Sequence, residues 1–233
     1  TERWPSEPPA FDSTAEWVRL DDPTSLLPDT DQTIVARPTP GETYHWFLLP
    51  GTVVWRSGRV GGYTRIQLDS GLAVWVPDSL THAVDATAAP HRVAQDAEVV
   101  SAPGWADFVL PVGQRPPYVV EERNHAIDLT LYGTRGNTDI IKYPTDDSLI
   151  RRVDWAQVRV DRVRYTLHLS RRPFGDLVLW RDGRFVLRVR RPPVVNAAHP
   201  LRGQVIAVDA GHPPGGATGP TGLPESDATL AVA

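Results

Sequence analysis

The sequence predicts a mainly β protein: a small barrel, an antiparallel β-sandwich-like block, and then the first strand, loop and helix of an α/β unit. Three observations carry this expectation. Apolar residues alternate with polar ones at a period of two through two long blocks. Glycine and Asp-Gly turn signals separate the runs at short intervals. No stretch before the closing "ESDATLAVA" has a convincing helical period.

Residues 1–38 are rich in Pro, Asp, Ser and Thr, broken by short apolar pieces such as Trp17-Val18 and Ile34-Val35. They read as a linker or the tail of a preceding module. Residues 39–86 read as the barrel. Val53 and Trp55 alternate with Thr52 and Val54, and Thr64, Ile66 and Leu68 alternate with Tyr63, Arg65 and Gln67. Gly61-Gly62 and Asp69-Ser70-Gly71 supply hairpin connections where positive φ is tolerated. Tyr44, Trp46, Trp55 and Trp75 are expected in its core, with contact to a ligand as the alternative for each.

Residues 87–101 read as a connector with a weak strand, and residues 102–195 as the second β domain. Phe108, Leu110 and Val112 share a face, as do Ile127, Leu129 and Leu131. Val163, Tyr165, Leu167 and Leu169 face in, with Arg162, Arg164 and His168 out. The apolar phase flips between Val158/Val160 and Val163/Tyr165, which requires a turn or bulge near Asp161-Arg162. "LVLWRDGRFVLRV" is a hairpin with Asp182-Gly183 at its turn. His125, His168 and His199 read as exposed strand, turn or loop residues. Since each block carries its own apolar faces and closing turns, residues 39–195 are expected to fold alone.

Composition sets the limits. A chain of 233 residues with 41% apolar content is not wholly disordered. A net charge of −4 with scattered arginines gives no footprint for nucleic acid. No apolar run is long enough to span a membrane, and no signal peptide is legible. Cysteine is absent, which excludes disulfides and thiolate metal sites. Methionine is absent too, so Thr1 is expected to be a processed end or the edge of a fragment.

Chemistry concentrates in residues 203–233. Gln204–Val208 is a near-continuous apolar run, as in a strand covered on both faces. Asp209-Ala210-Gly211-His212 follows, then a loop dense in Gly and Pro, and a helix opening at Glu225. Functional groups in α/β folds collect at strand carboxyl ends, which is where His212 falls. A phosphate cradle is a poor fit, because Pro213-Pro214 remove amide donors. A catalytic zinc takes His, Asp or Glu ligands and keeps an open position. His212 and Glu225 could both reach one cation across their loop. They could equally be a loop histidine and a helix-start glutamate.

Family resemblances bear on these alternatives. "GGYTRIQLDSGLAVWV" resembles the central hairpin and terminal tryptophan strand of bacterial Src-homology-3-like domains, which implies binding of cell-wall peptide or positioning of a catalytic domain. "WAQVRVDRVRYTLHLSRRPFGDLVLWRDGRFVLRVRRPP" is similar to AMIN-type domains, which implies targeting to peptidoglycan or to envelope and division assemblies. "VIAVDAGHPPGGATGPTGLPESDATLAVA" resembles the N-terminal motif of zinc-dependent N-acetylmuramoyl-L-alanine amidases. That resemblance makes His212 the first zinc ligand and Glu225 the second, with Asp209 and Gly211 as loop or outer support. Pro213-Pro214 replace the glycine that usually follows the histidine. The third ligand and the general-base glutamate of such enzymes lie well beyond this motif, and no upstream histidine sits in a matching context. The chain is therefore expected to carry a truncated catalytic domain, inactive by itself, from a secreted periplasmic or envelope hydrolase. A non-catalytic wall-binding or scaffold protein is the rival expectation. A sugar-binding sandwich using Trp105, Trp155 or Trp180 is a third.

Overall fold

The computed structural model describes residues 12–85, 87, 89–145, 149–211 and 216–233. The chain divides into two compact units, Thr1–Pro192 and Pro193–Ala233. The first is built of β-strands, and the one α-helix among the described residues lies in the second.

Seven strands open the first unit: β1 (Glu16–Leu20), β2 (Ile34–Ala36), β3 (Trp46–Leu48), β4 (Val53–Val60), β5 (Tyr63–Asp69), β6 (Leu72–Pro77) and β7 (Thr81–Ala83). Five of them form an antiparallel sheet I in the order β6-β5-β4-β1-β7. Strands β2 and β3 pair separately, and a single bridge from Arg37 to Trp75 ties them to β6. No closed barrel forms among the described residues, so the predicted barrel is corrected to an open sheet with a flanking hairpin. The segment read as a linker is corrected as well. Its strand β1 sits inside sheet I, with β4 on one side and β7 on the other.

Alternation selects the core of this half. Val54, Ile66, Leu68, Val74 and Val76 point inward with Val18, Leu20, Ile34 and Trp46. Of the four aromatic residues expected there, only Trp46 is a core residue. In β4 the buried positions are Val54, Arg56 and Gly58, which turns Trp55 to the other face, edge-on to Trp17 at 5.2 Å. Trp75 is likewise turned outward between Val74 and Val76, and Tyr44 is exposed beside Phe47.

The second half holds β8 (Val93–Ala94), β9 (Ala97–Ser101), β10 (Trp105–Pro111), β11 (Tyr118–Arg123), β12 (Ala126–Tyr132), β13 (Arg135–Gly136), β14 (Ile141–Lys142), β15 (Ile150–Arg159), β16 (Arg162–Leu169), β17 (Asp176–Arg181) and β18 (Arg184–Arg190). Sheet II runs β14-β9-β10-β18-β17, and sheet III runs β11-β12-β16-β15. Strand β14 joins sheet II in parallel and all other neighbours in both sheets are antiparallel. The inward faces meet in one core, where Phe108 packs on Tyr165 at 5.4 Å and Tyr118 on Phe185 at 5.1 Å. The Asp182-Gly183 turn takes φ values of 50° and 74°, the positive pair that a two-residue hairpin needs. The phase flip falls one residue earlier than expected: Val160-Asp161 form the turn, preceded by a register shift between Gln157 and Arg159. At Gly136 a Cβ would meet the Trp155 ring at 2.6 Å, so only glycine lets β13 pass beneath that side chain.

The two halves interlock. Tyr132 of β12 joins the core of the first half, and Leu49 joins that of the second. Turn Asp69-Ser70-Gly71 grips turn Val160-Asp161: the Ser70 amide and hydroxyl both donate to Asp161 at 2.7 Å. Arg162 donates through Nε and Nη2 to Asp69, whose side chain is fully buried. The Asp69 carboxylate holds the Arg162 guanidinium above its ordinary value, outweighing the opposite effect of burial. Arg92, also buried, donates to the carbonyls of Val53 and Arg115. Burial pushes its guanidinium down to about 9, which leaves it charged at neutral pH. Arg115 in turn donates to the carbonyls of Pro28 and Pro50.

Removing one partner of a buried pair strands the other charge. Asp69→Ala is expected to cost about 3 kcal/mol, lowering Tm by roughly 6–12 °C in a thermal melt. Asp69→Ala with Arg162→Met should recover part of the loss. A single variant that melts like the parent would show that the clamp contributes nothing.

Candidate functional site

The second unit is short and opens without regular structure. Gln204–Val208, predicted as a doubly covered strand, forms no strand. Val205, Ile206 and Val208 are exposed, at 99%, 62% and 65%. A strand exists only when a neighbour takes up its amides and carbonyls, and no described residue pairs with this run.

The following loop does close. The Gly211 amide donates to Asp209 Oδ1 at 3.1 Å, and Gly211 itself takes φ +64°, a left-handed conformation open to glycine. His212 comes next and lies outside the described residues. The chain returns through a bridge between Thr218 and Pro224 into helix α1 (Glu225–Val232). Pro224 has an extended backbone just before the helix, and Glu225 and Asp227 supply negative charge to its first turn. This is the helix predicted at that position.

Glu225 closes the loop. Its amide donates to the Ala217 carbonyl at 2.8 Å, and its Oε2 accepts from the Ala217 amide at 3.0 Å. Four residues on, the Thr229 hydroxyl reaches the Gly211 carbonyl at 3.4 Å. Residues four apart share a helix face, so the face of α1 that carries Glu225 is the one turned toward Gly211. An amide held on one carboxylate oxygen is the kind of contact that orients a metal-ligating carboxylate. Asp209 is occupied with the bend that precedes His212. Among the described residues no group of three or more His, Cys, Asp or Glu is placed to hold a metal.

The other histidines stand apart from this loop in role. His125 is exposed in the turn between β11 and β12. His168 lies on the outer face of sheet III, with Nε2 2.8 Å from Asp154 Oδ2. His199 is exposed in a turn. The three tryptophans considered for a sugar platform do not share a face. Trp105 belongs to sheet II, Trp155 stacks toward Tyr165 at 6.3 Å, and Trp180 packs on the core with the Arg115 guanidinium over its ring.

A feature that the sequence pattern did not expose is an open cleft on sheet II, lined by Trp105, Phe174, Leu177, Arg188 and Arg190. Its residues come from three strands and a loop, so no local motif announces it. No family model matches the chain, and no curated protein matches it. Among the described residues no helix is long and apolar enough to cross a membrane.

Proposed function

We propose that this chain is part of a secreted zinc-dependent peptidoglycan amidase, with its β-rich unit serving the cell wall and its second unit opening the catalytic domain. The reading is carried by one observation: the order Asp209-x-Gly211-His212 with Glu225 at a helix start, in a loop whose Thr229–Gly211 contact turns the Glu225 face of α1 toward the residue before His212. His212 and Glu225 would hold the zinc, and a further histidine and a glutamate base would come from sequence beyond this motif. Zinc held there would supply Lewis-acid polarisation of the amide between the muramic acid lactyl group and L-alanine. Asp209 keeps the bend ahead of His212, and the Ala217 amide keeps the Glu225 carboxylate aimed.

In the same reading the strands β4–β6 are an open relative of a Src-homology-3-like domain, and sheets II and III are an AMIN-like sandwich. Both would bring the enzyme to peptidoglycan in the periplasm or envelope. The extensive interlock of the β-rich unit favours a second reading as well, a wall-binding or scaffold protein without catalysis, because that unit is complete in its packing.

Sedimentation with insoluble peptidoglycan tests the targeting role. The chain is expected to pellet with the wall material while an unrelated acidic β-protein stays in the supernatant; equal recovery of the two would leave the sheets as spacers. Release of stem peptides from muropeptides by the full-length protein, with retention of one zinc, separates the amidase from the scaffold.

A further inference from the structure

The cleft on sheet II is built from the face of that sheet that does not enter the core. Phe108, Phe185, Leu187 and Val189 point inward, so alternation sends Trp105, Asp107, Arg188 and Arg190 outward. The register sets Trp105 opposite Arg190 and Asp107 opposite Arg188. Each arginine lies over an aromatic ring: Arg188 is 4.3 Å from the Trp105 ring centre, and Arg190 is 5.6 Å from that of Phe174. The two guanidiniums differ in what else they do. Arg188 gives Nε and Nη2 to the two oxygens of Asp107, both at 2.8 Å. Arg190 makes no ion pair with any described residue, and its side chain is exposed.

The cleft is also preorganised. Arg190 holds the loop beside it through its backbone, its carbonyl accepting from the Phe174 amide at 3.1 Å and its amide donating to the Gly175 carbonyl at 2.9 Å. The Arg191 amide donates to the Gly104 carbonyl at 3.0 Å. The start of β10 at Trp105 and the loop that carries Phe174 are therefore pinned to β18. Gly104 and Gly175 have no atom within 4 Å of where a Cβ would stand, which leaves the space beside the rings open. Trp105, Phe174 and Leu177 are 39%, 53% and 39% exposed, a large apolar share for one small area.

We propose that this cleft binds a free carboxylate carried on a small apolar group, with Arg190 as the anion donor and Phe174, Trp105 and Leu177 as the apolar wall. Charge and chemistry select that class. The unpaired donor is a guanidinium, suited to two-pronged contact with a carboxylate. Asp107 on the same face has both oxygens occupied by Arg188, so a neutral polyhydroxyl ring would find few acceptors there. Asp176 also borders the cleft, and burial together with the Glu122 charge raises its carboxyl above the usual carboxylate range. An open cleft of this kind takes the end of a chain. Two sources offer such an end in a cell wall: the terminal carboxylate of a stem peptide and, once its amide to L-alanine has been cut, the lactyl carboxylate of muramic acid. The natural source rests on the wall-targeting reading above, whereas the carboxylate chemistry stands independently of it.

Titration followed by tryptophan fluorescence and calorimetry tests this with N-acetyl-D-alanyl-D-alanine, its C-terminal amide and N-acetylmuramic acid. Binding of at least one free acid is expected, with the amide about tenfold weaker or worse. Arg190→Gln should weaken the acid by a similar factor and Arg190→Lys by less, with the melting temperature unchanged in both. Phe174→Ala should weaken both the acid and the amide. Tighter binding of the dipeptide assigns the peptide terminus, and tighter binding of muramic acid the lactyl group. Equal affinity for acid and amide, or an Arg190→Gln variant that binds like the parent, overturns the proposal. Acid binding in a chain that fails to sediment with peptidoglycan would sink the targeting role and leave the cleft in place.

Discussion

A fragment spanning residues 39–195 is expected to be unable to fold cooperatively, whereas residues 12–192 should melt in a single transition. The reason is the position of β1. It fills the gap between β4 and β7, so its removal opens two strand edges in the middle of sheet I. It also takes Val18 and Leu20 from the core, and loss of β2 takes Ile34 and Ala36. Three large aliphatic side chains contribute about 1.5–3 kcal/mol each on burial. Their sum approaches the entire stability of an ordinary domain, about 5–15 kcal/mol. Circular dichroism with a thermal melt decides it: a sharp transition in the 39–195 fragment would show that sheet I forms without β1. The expected loss of cooperativity runs against the sequence-based expectation that residues 39–195 suffice.

On the amidase reading proposed above, His212→Ala in the full-length protein should remove tight zinc binding and amidase activity together, and leave wall binding intact. A catalytic zinc takes three protein ligands, and losing the imidazole leaves the carboxylate of Glu225 with an incomplete set. Glu225→Ala should act in the same direction while also freeing the Ala217 amide, so its loop loosens in addition. In the 233-residue chain alone, any zinc affinity should be weak and indifferent to His212→Ala. Stoichiometric, tight zinc in that short chain, or activity that survives His212→Ala in the long one, contradicts the assignment.

Much of the strand pattern was legible because alternation is local. Val163, Tyr165, Leu167 and Leu169 are buried in β16 as their spacing required, and the Asp182-Gly183 hairpin stands where its turn chemistry put it. Strand β1 was not legible. "EWVRL" is short and flanked by Asp, Pro and Ser, and it is a strand only because β4 and β7 pair with it from both sides. The opposite error occurred at Gln204–Val208, where a strong apolar run has no neighbour among the described residues and stays irregular. Propensity names a candidate strand; the ladder decides it. At the candidate zinc loop the Glu225 helix start was readable from Pro224 and the acidic first turn. The Ala217–Glu225 closure was not, since it depends on how the loop folds back. The cleft at Trp105 and Arg190 escaped for the same reason: Trp105 and Arg190 become neighbours only through the β10–β18 register.

The grip between the two turns joins segments that are far apart in the chain. Arg162, which neutralises Asp69, lies 93 residues further along the chain. Tyr132, which completes the first core, comes from β12 and also lies far downstream. A chain emerging from the ribosome therefore makes all strands of sheet I long before it makes the residues that finish their packing. Until then Asp69 must stay hydrated and the first core stays short of one ring. Closing contacts this distant is slow, because the loop entropy is lost before the contact is gained. The N-terminal sheet is thus expected to complete its packing only after its C-terminal half has been made.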